Sequence, residues 1–141
     1  MRNKLILAGG LLLIFSILIG ACQTEQEINY RRYYVNGKGL YERHCQNCHN
    51  ADGTGLQNLY PPLTDTLFIS QNKDKLACMI KYGLNQKIII NGKEYDSPMP
   101  GNNSLTDMDV AQLVVYISNS FGNQLGHYEV DQAHADLQKC K

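Results

Sequence analysis

Cys45-Gln46-Asn47-Cys48-His49 places two thiols and an imidazole within five residues. Cysteines three residues apart share one helical face, and His49, four residues after Cys45, lies on that same face. Thiols so spaced can each add to one of the two vinyl groups of a single haem while the imidazole reaches its iron. The C-x-x-C-H pattern is the signature of covalent, c-type haem attachment. It leaves the iron one further axial position, whose occupant decides the chemistry.

Beyond Met1 the chain holds three methionines. Met79 and Met108 sit at helical spacing, where methionine usually fills a core. Met99 lies between Pro98 and Pro100, 50 residues after His49. Flanking prolines restrict φ and remove backbone donors, which predicts a stiff loop able to hold a soft thioether against iron. The competing donors His127 and His134 lie in the tail and read as solvated residues. His44 points off the ligand face and reads as a surface residue.

Several elements must position these groups. Residues 37–49 carry Leu40, Tyr41, His44, Cys45 and Cys48 at helical spacing, which predicts a first helix. Asn50 to Gly55 end it with residues that tolerate unusual φ/ψ, and 56–72 read as an irregular loop. Residues 74–84 read as a second helix with Leu76, Ala77, Ile80 and Leu84 on one side. Asn91-Gly92, set between Ile88-Ile89-Ile90 and Lys93-Glu94-Tyr95, is a hairpin signal. Residues 96–103 read as a second loop. Thr106 with Asp109 three residues on forms a capping-box variant. It opens a helix to about Ser120 with an apolar stripe of Val110, Leu113, Val114 and Ile117. One short helix is expected in 122–141.

The N-terminus reads as an export signal: Arg2 and Lys4 precede an uncharged apolar stretch from Leu5 to Ile19. Ile19-Gly20-Ala21-Cys22 resembles the lipobox of bacterial lipoproteins, which implies cleavage before Cys22 and acylation there. An uncleaved signal anchor, or plain secretion with Cys22 an ordinary thiol, are the alternatives. Residues 23–35 then read as a flexible tether reaching on the order of 20 Å.

With 21 of the 141 residues removed, 120 remain, and 11 basic residues face 13 acidic ones. That balance gives no reason to expect nucleic-acid binding. Of five cysteines, Cys78 and Cys140 remain unassigned, an even pair suited to an oxidising compartment. Either they form a disulfide that fastens the C-terminal tail, or they are two separate thiols with Cys78 buried in a helix.

Over roughly residues 36–122 the chain resembles a class I cytochrome c. The resemblance rests on the haem pentad and on Ala51-Asp52-Gly53-Thr54-Gly55, Tyr60-Pro61-Pro62-Leu63, Asn91-Gly92-Lys93-Glu94-Tyr95, Met99-Pro100 and Ser120-Phe121-Gly122-Asn123. It implies that the Pro61 carbonyl accepts a hydrogen bond from the outer nitrogen of His49. Leu63 would pack beside the haem, and Gly37 and Tyr41 would cross a last helix at Leu113 and Tyr116. The fold it implies is all-α, with three to four helices around one covalent haem c and a small β-hairpin before the Met99 loop. The organisation expected is a lipoprotein signal peptide over 1–21, a lipidated tether over 22–35, the cytochrome domain over 36–122 and an extension over 123–141.

The expected function is one-electron transfer in a respiratory chain, with His49 and Met99 both on the iron. No substrate binds, so the chain is an electron carrier rather than an enzyme. Its partners would be redox proteins (an oxidase, dehydrogenase or reductase), and its place the periplasmic side of a bacterial envelope, held to the membrane through Cys22. A permanent subunit of an oxidase or dehydrogenase complex is the first alternative. A ligand-binding sensor or peroxidase is another, although no distal acid–base residue lies near Met99. A thiol–disulfide or zinc pair at Cys45 and Cys48 is the last.

Overall fold

The computed structural model describes Gly10 and residues 25–140. Apart from Gly10, the leader over 1–21 lies outside the described residues, as does Cys22. Among the described residues no helix is long and apolar enough to cross a membrane. The chain divides into two units, Met1–Arg32 and Tyr33–Lys141. In the first, residues 25–32 are helical rather than the flexible tether expected from their mixed composition. The second begins at Tyr33 and takes in the tail after 122.

Within the second unit, α1 covers residues 33–44 and breaks at Cys45. The single turn α2 follows at Gln46–His49. Gly37 and Tyr41 are buried against the last large helix, α5 (Asp107–Ile117). A Cβ at Gly37 would stand 2.0 Å from the Gln112 carbonyl oxygen and 2.9 Å from Tyr116 Cβ, so the two helices meet backbone to backbone there. Around this crossing the rings of Tyr34, Tyr41 and Phe121 all pack on Tyr116, with centroids 5.2, 5.3 and 5.6 Å away. Such pairs contribute about 0.5–1.5 kcal/mol each beyond burial.

The segment expected to be irregular contains α3 (Thr66–Gln71), opened by Asp65, whose carboxylate accepts from the Phe68 N–H at 2.8 Å. A 3₁₀ turn over Lys73–Lys75 leads into α4 (Leu76–Tyr82). The predicted second helix thus ends at Tyr82, and Gly83–Leu84 is strand β1.

The predicted hairpin is present as β2 (Ile88–Ile90) and β3 (Lys93–Tyr95), with Asn91 and Gly92 both at positive φ in its turn. Met99–Pro100, expected as loop, is strand β4 and pairs antiparallel with β1. The prolines beside Met99 lack N–H groups, but Met99 itself stands in register with Leu84. The ladder can close because Gly83 and Gly101 carry no side chains: a Cβ on Gly83 would lie 2.4 Å from the Met99 carbonyl oxygen. The fold is therefore not all-α. Among the described residues it is about half helical, with two small two-stranded sheets.

α5 has the predicted capping box between Thr106 and Asp109. It is buried nearly all round, because Ala111, Val115 and Tyr116 are covered as well as the predicted stripe. The tail forms α6 (Val130–Leu137), which packs on both α4 and α5. Cys78 on α4 and Cys140 after α6 are joined as a disulfide with Cα atoms 5.6 Å apart.

Candidate cofactor site

The break at Cys45 lets α2 start afresh, with the Cys45 carbonyl accepting from both the Cys48 and His49 N–H groups. Both thiols are half-buried, while His49 is 8% exposed. Burial, with Cys48 adding in the same direction, pushes the Cys45 thiol up to about 11. The Cys45 sulfur is therefore a small neutral group at the edge of a cavity that Cys48 also lines.

Together with the solvent space at its open mouth, that cavity measures about 1170 Å³. Its wall is overwhelmingly apolar. Phe68 and Ile69 come from α3, Leu76, Met79 and Ile80 from α4, and Leu113 and Ile117 from α5. Ile88, Ile90 and Tyr95 of the hairpin close another side. A large, open, apolar slot with few polar groups suits a flat hydrophobic ligand.

His49 is one of the few polar residues in that wall, and it is buried. Its Nδ1 lies 3.0 Å from the Pro61 carbonyl oxygen. A carbonyl only accepts, so Nδ1 carries the proton and Nε2 keeps its lone pair. Burial, partly opposed by that hydrogen bond, lowers the imidazole's affinity for a second proton. The result is a neutral ring with one free nitrogen donor and a carbonyl behind it, the arrangement in which histidine binds a metal.

A hydrogen-bonded frame holds this side of the cavity. Tyr41 Oη donates to the Asn50 carbonyl at 2.6 Å, and the Leu63 N–H donates to Gly53 O at 2.7 Å. Asn123, 3% exposed, donates from Nδ2 to the carbonyls of Leu63 and Ile117, at 2.9 and 3.0 Å. It thereby ties the Pro61–Leu63 wall to the end of α5. The sequence singles out Asn123 only as part of a motif; its role depends on a contact 60 residues away.

The structure brings Cys45, Cys48, His49, Pro61, Leu63 and Met99 to one cavity. It also places Met79 and His44 there, neither of which was expected at the site. His44 stands exposed at the rim rather than away from it. Met108 is 40% exposed on α5 and fills no core. Neither tail histidine lines the cavity: His134 Nδ1 lies 2.7 Å from Asp107 Oδ2, and the His127 carbonyl accepts from Lys73 Nζ at 3.3 Å. The donor set (two thiols, one oriented imidazole, thioethers and an apolar slot) fits a covalently attached haem.

Residues 34–117 match the family described as cytochrome c oxidase, cbb3-type, subunit III. Cytochrome c-552 of Thermus thermophilus is 26% identical over 93 residues, covering 63% of this chain and 70% of that protein. The cytochrome c subunit of alcohol dehydrogenase (quinone) from Gluconobacter oxydans is 31% identical over 105 residues, 72% of this chain. The fructose dehydrogenase cytochrome subunit of Gluconobacter japonicus is 33% identical over 95 residues, 63% of this chain. This chain spans only 21% and 19% of those two subunits' own lengths.

Proposed function

Because this chain belongs to the cytochrome c family, with haem c bound covalently, we propose that it carries single electrons with His49 and Met99 as the axial ligands. A haem held here would supply a one-electron Fe(III)/Fe(II) couple. The chain's own residues keep that exchange simple. Pro61 fixes the ring of His49, and β4 holds Met99 in register with β1. The apolar wall excludes water, and a thioether ligand raises the potential relative to a second imidazole.

The observation that carries this reading is the His49–Pro61 hydrogen bond beside two thiols at the edge of an apolar slot. Met79 shares the cavity, so the thioether assignment needs its own test. The oxidised protein is expected to show the weak long-wavelength band of thioether–Fe(III) ligation. Met99→Ala should abolish the band and let the ferrous protein bind CO, while Met79→Ala should leave both unchanged. Loss of the band in Met79→Ala alone would overturn the assignment.

The proposed setting is the periplasmic side of a bacterial envelope, with Cys22 lipidated and the domain serving a respiratory chain. The similarity to cytochrome subunits of two dehydrogenases favours a second reading, a permanent electron-transfer subunit of such a complex. Purification from native membranes separates the two. A free carrier elutes alone with an acylated Cys22 at its N-terminus, and a subunit elutes with its dehydrogenase or oxidase.

A further inference from the structure

The segment that carries Met99 hangs on α4. Leu84, two residues beyond that helix, pairs with Met99, and Gly83 pairs with Pro100. The Asn102 N–H donates to the Ile80 carbonyl at 3.2 Å. Lys81 Nζ donates to the Asn103 carbonyl at 3.2 Å and to that of Leu105. A Cβ on Gly101 would lie 2.4 Å from the Tyr82 carbonyl carbon, so the two backbones touch.

α4 is itself a weak support. It has seven residues, no side-chain cap at its N-terminus and a 3₁₀ turn before it. A helix that short has little stability of its own and depends on tertiary anchors. Its anchors are α5, α6 and the Cys78–Cys140 disulfide. On the His49 side the ties run differently, through Pro61, Tyr41–Asn50 and Asn123–Leu63, and none of these passes through α4.

We propose that the Cys78–Cys140 bridge is a positioning device for the sixth ligand: it fixes α4 against the tail and so keeps the Met99 thioether in place. The proposal rests on the reading of Met99 as axial ligand. Opening the bridge frees the Met99 side of the site and leaves the His49 side intact.

The test compares three haem-loaded proteins with the wild type. One is Cys78→Ser/Cys140→Ser. The second is folded wild-type protein whose bridge has been opened with a phosphine, its thiols alkylated and its haem reoxidised with ferricyanide, which removes any dependence on the variant's folding. The third is Lys81→Met, with the bridge intact. In all three the thioether–Fe(III) band should weaken. The fraction of ferrous protein that combines rapidly with CO should rise about tenfold from the roughly 0.1–10% range of minor conformers. Tyr41→Phe, which removes a tie on the His49 side, should lower Tm without raising CO binding. Unchanged CO binding after opening the bridge, in protein that shows the band, overturns the positioning role alone. An equal gain in Tyr41→Phe also overturns it, because general loosening would then suffice. Absence of the band from the untreated wild type overturns the ligand reading and this inference with it.

Discussion

Replacing Gly37 by alanine tests the helix crossing on which the closure of the fold depends. The new Cβ would stand 2.0 Å from the Gln112 carbonyl oxygen, 1.0 Å inside the 3.0 Å closer than which Cβ contacts essentially never occur. The obstacle is backbone, so no rotamer change relieves it, and α1 and α5 must separate by about 1 Å. Overpacking costs about 1–3 kcal/mol, and a shift between two packed helices belongs at the upper end. Removing a helical glycine returns about 1 kcal/mol. The net loss is about 2 kcal/mol, or about 8 °C in Tm at about 4 °C per kcal/mol for a unit of this size. Gly39, on the same helix, provides the control. Its added Cβ meets only Arg43 Nη1 at 3.5 Å, so Gly39→Ala should gain about 1 kcal/mol and raise Tm by about 4 °C. Thermal unfolding of the oxidised haem protein, followed in parallel by far-ultraviolet circular dichroism and haem absorption, measures both. If Gly37→Ala is as stable as Gly39→Ala, the close crossing is refuted.

Two further changes probe the slot and the tail. Cys45→Ala/Cys48→Ala removes covalent attachment and leaves the apolar slot without its filling. The chain should migrate without haem in denaturing gels and lose cooperative unfolding in calorimetry, since a unit this small has a marginal core. Tyr128→Phe leaves Asp136 Oδ2 without the 2.9 Å hydrogen bond it receives from Tyr128, in a residue 4% exposed. Its expected effect is a loss of about 1–3 kcal/mol in urea unfolding, with the thioether–Fe(III) band retained while the bridge holds.

The haem side of the site was legible because its geometry is local. Five consecutive residues fix the thiols and the imidazole, and the partner of His49 lies only twelve residues away. The hairpin and the capping box were legible for the same reason: Asn91-Gly92 and Thr106-Asp109 each encode their own turn. The Met99 side was only half legible. Its flanking prolines suggest a stiff loop, yet its conformation is set by β1, fifteen residues earlier, and by two glycines whose closeness no local pattern announces. Met79 entered the cavity unannounced because helical spacing gives a face, not what that face confronts. Residues 25–35 show no clean period, yet they are helical, and where Tyr34 belongs to the second unit it packs on Tyr116.

The tail was the least legible part, and α5 shows why it matters. The sequence marks four apolar positions on α5, the width of a helix with one covered face. The structure buries Ala111, Val115 and Tyr116 too, so α5 needs cover on more than one side. α6 supplies it with Ala133 and Leu137, Tyr128 is buried beside it at 1% exposed, and Lys73 Nζ fastens the approach through the Leu125 carbonyl at 2.7 Å. α6 is only eight residues long and would not hold this position by its own helical stability. The disulfide, closing a loop across 62 residues, supplies about 4 kcal/mol by loop-closure entropy. That exceeds what a buried tyrosine hydrogen bond contributes, at about 1 kcal/mol net. The tail therefore belongs to the domain's core, and its covalent end lies on the short helix from which the Met99 strand hangs.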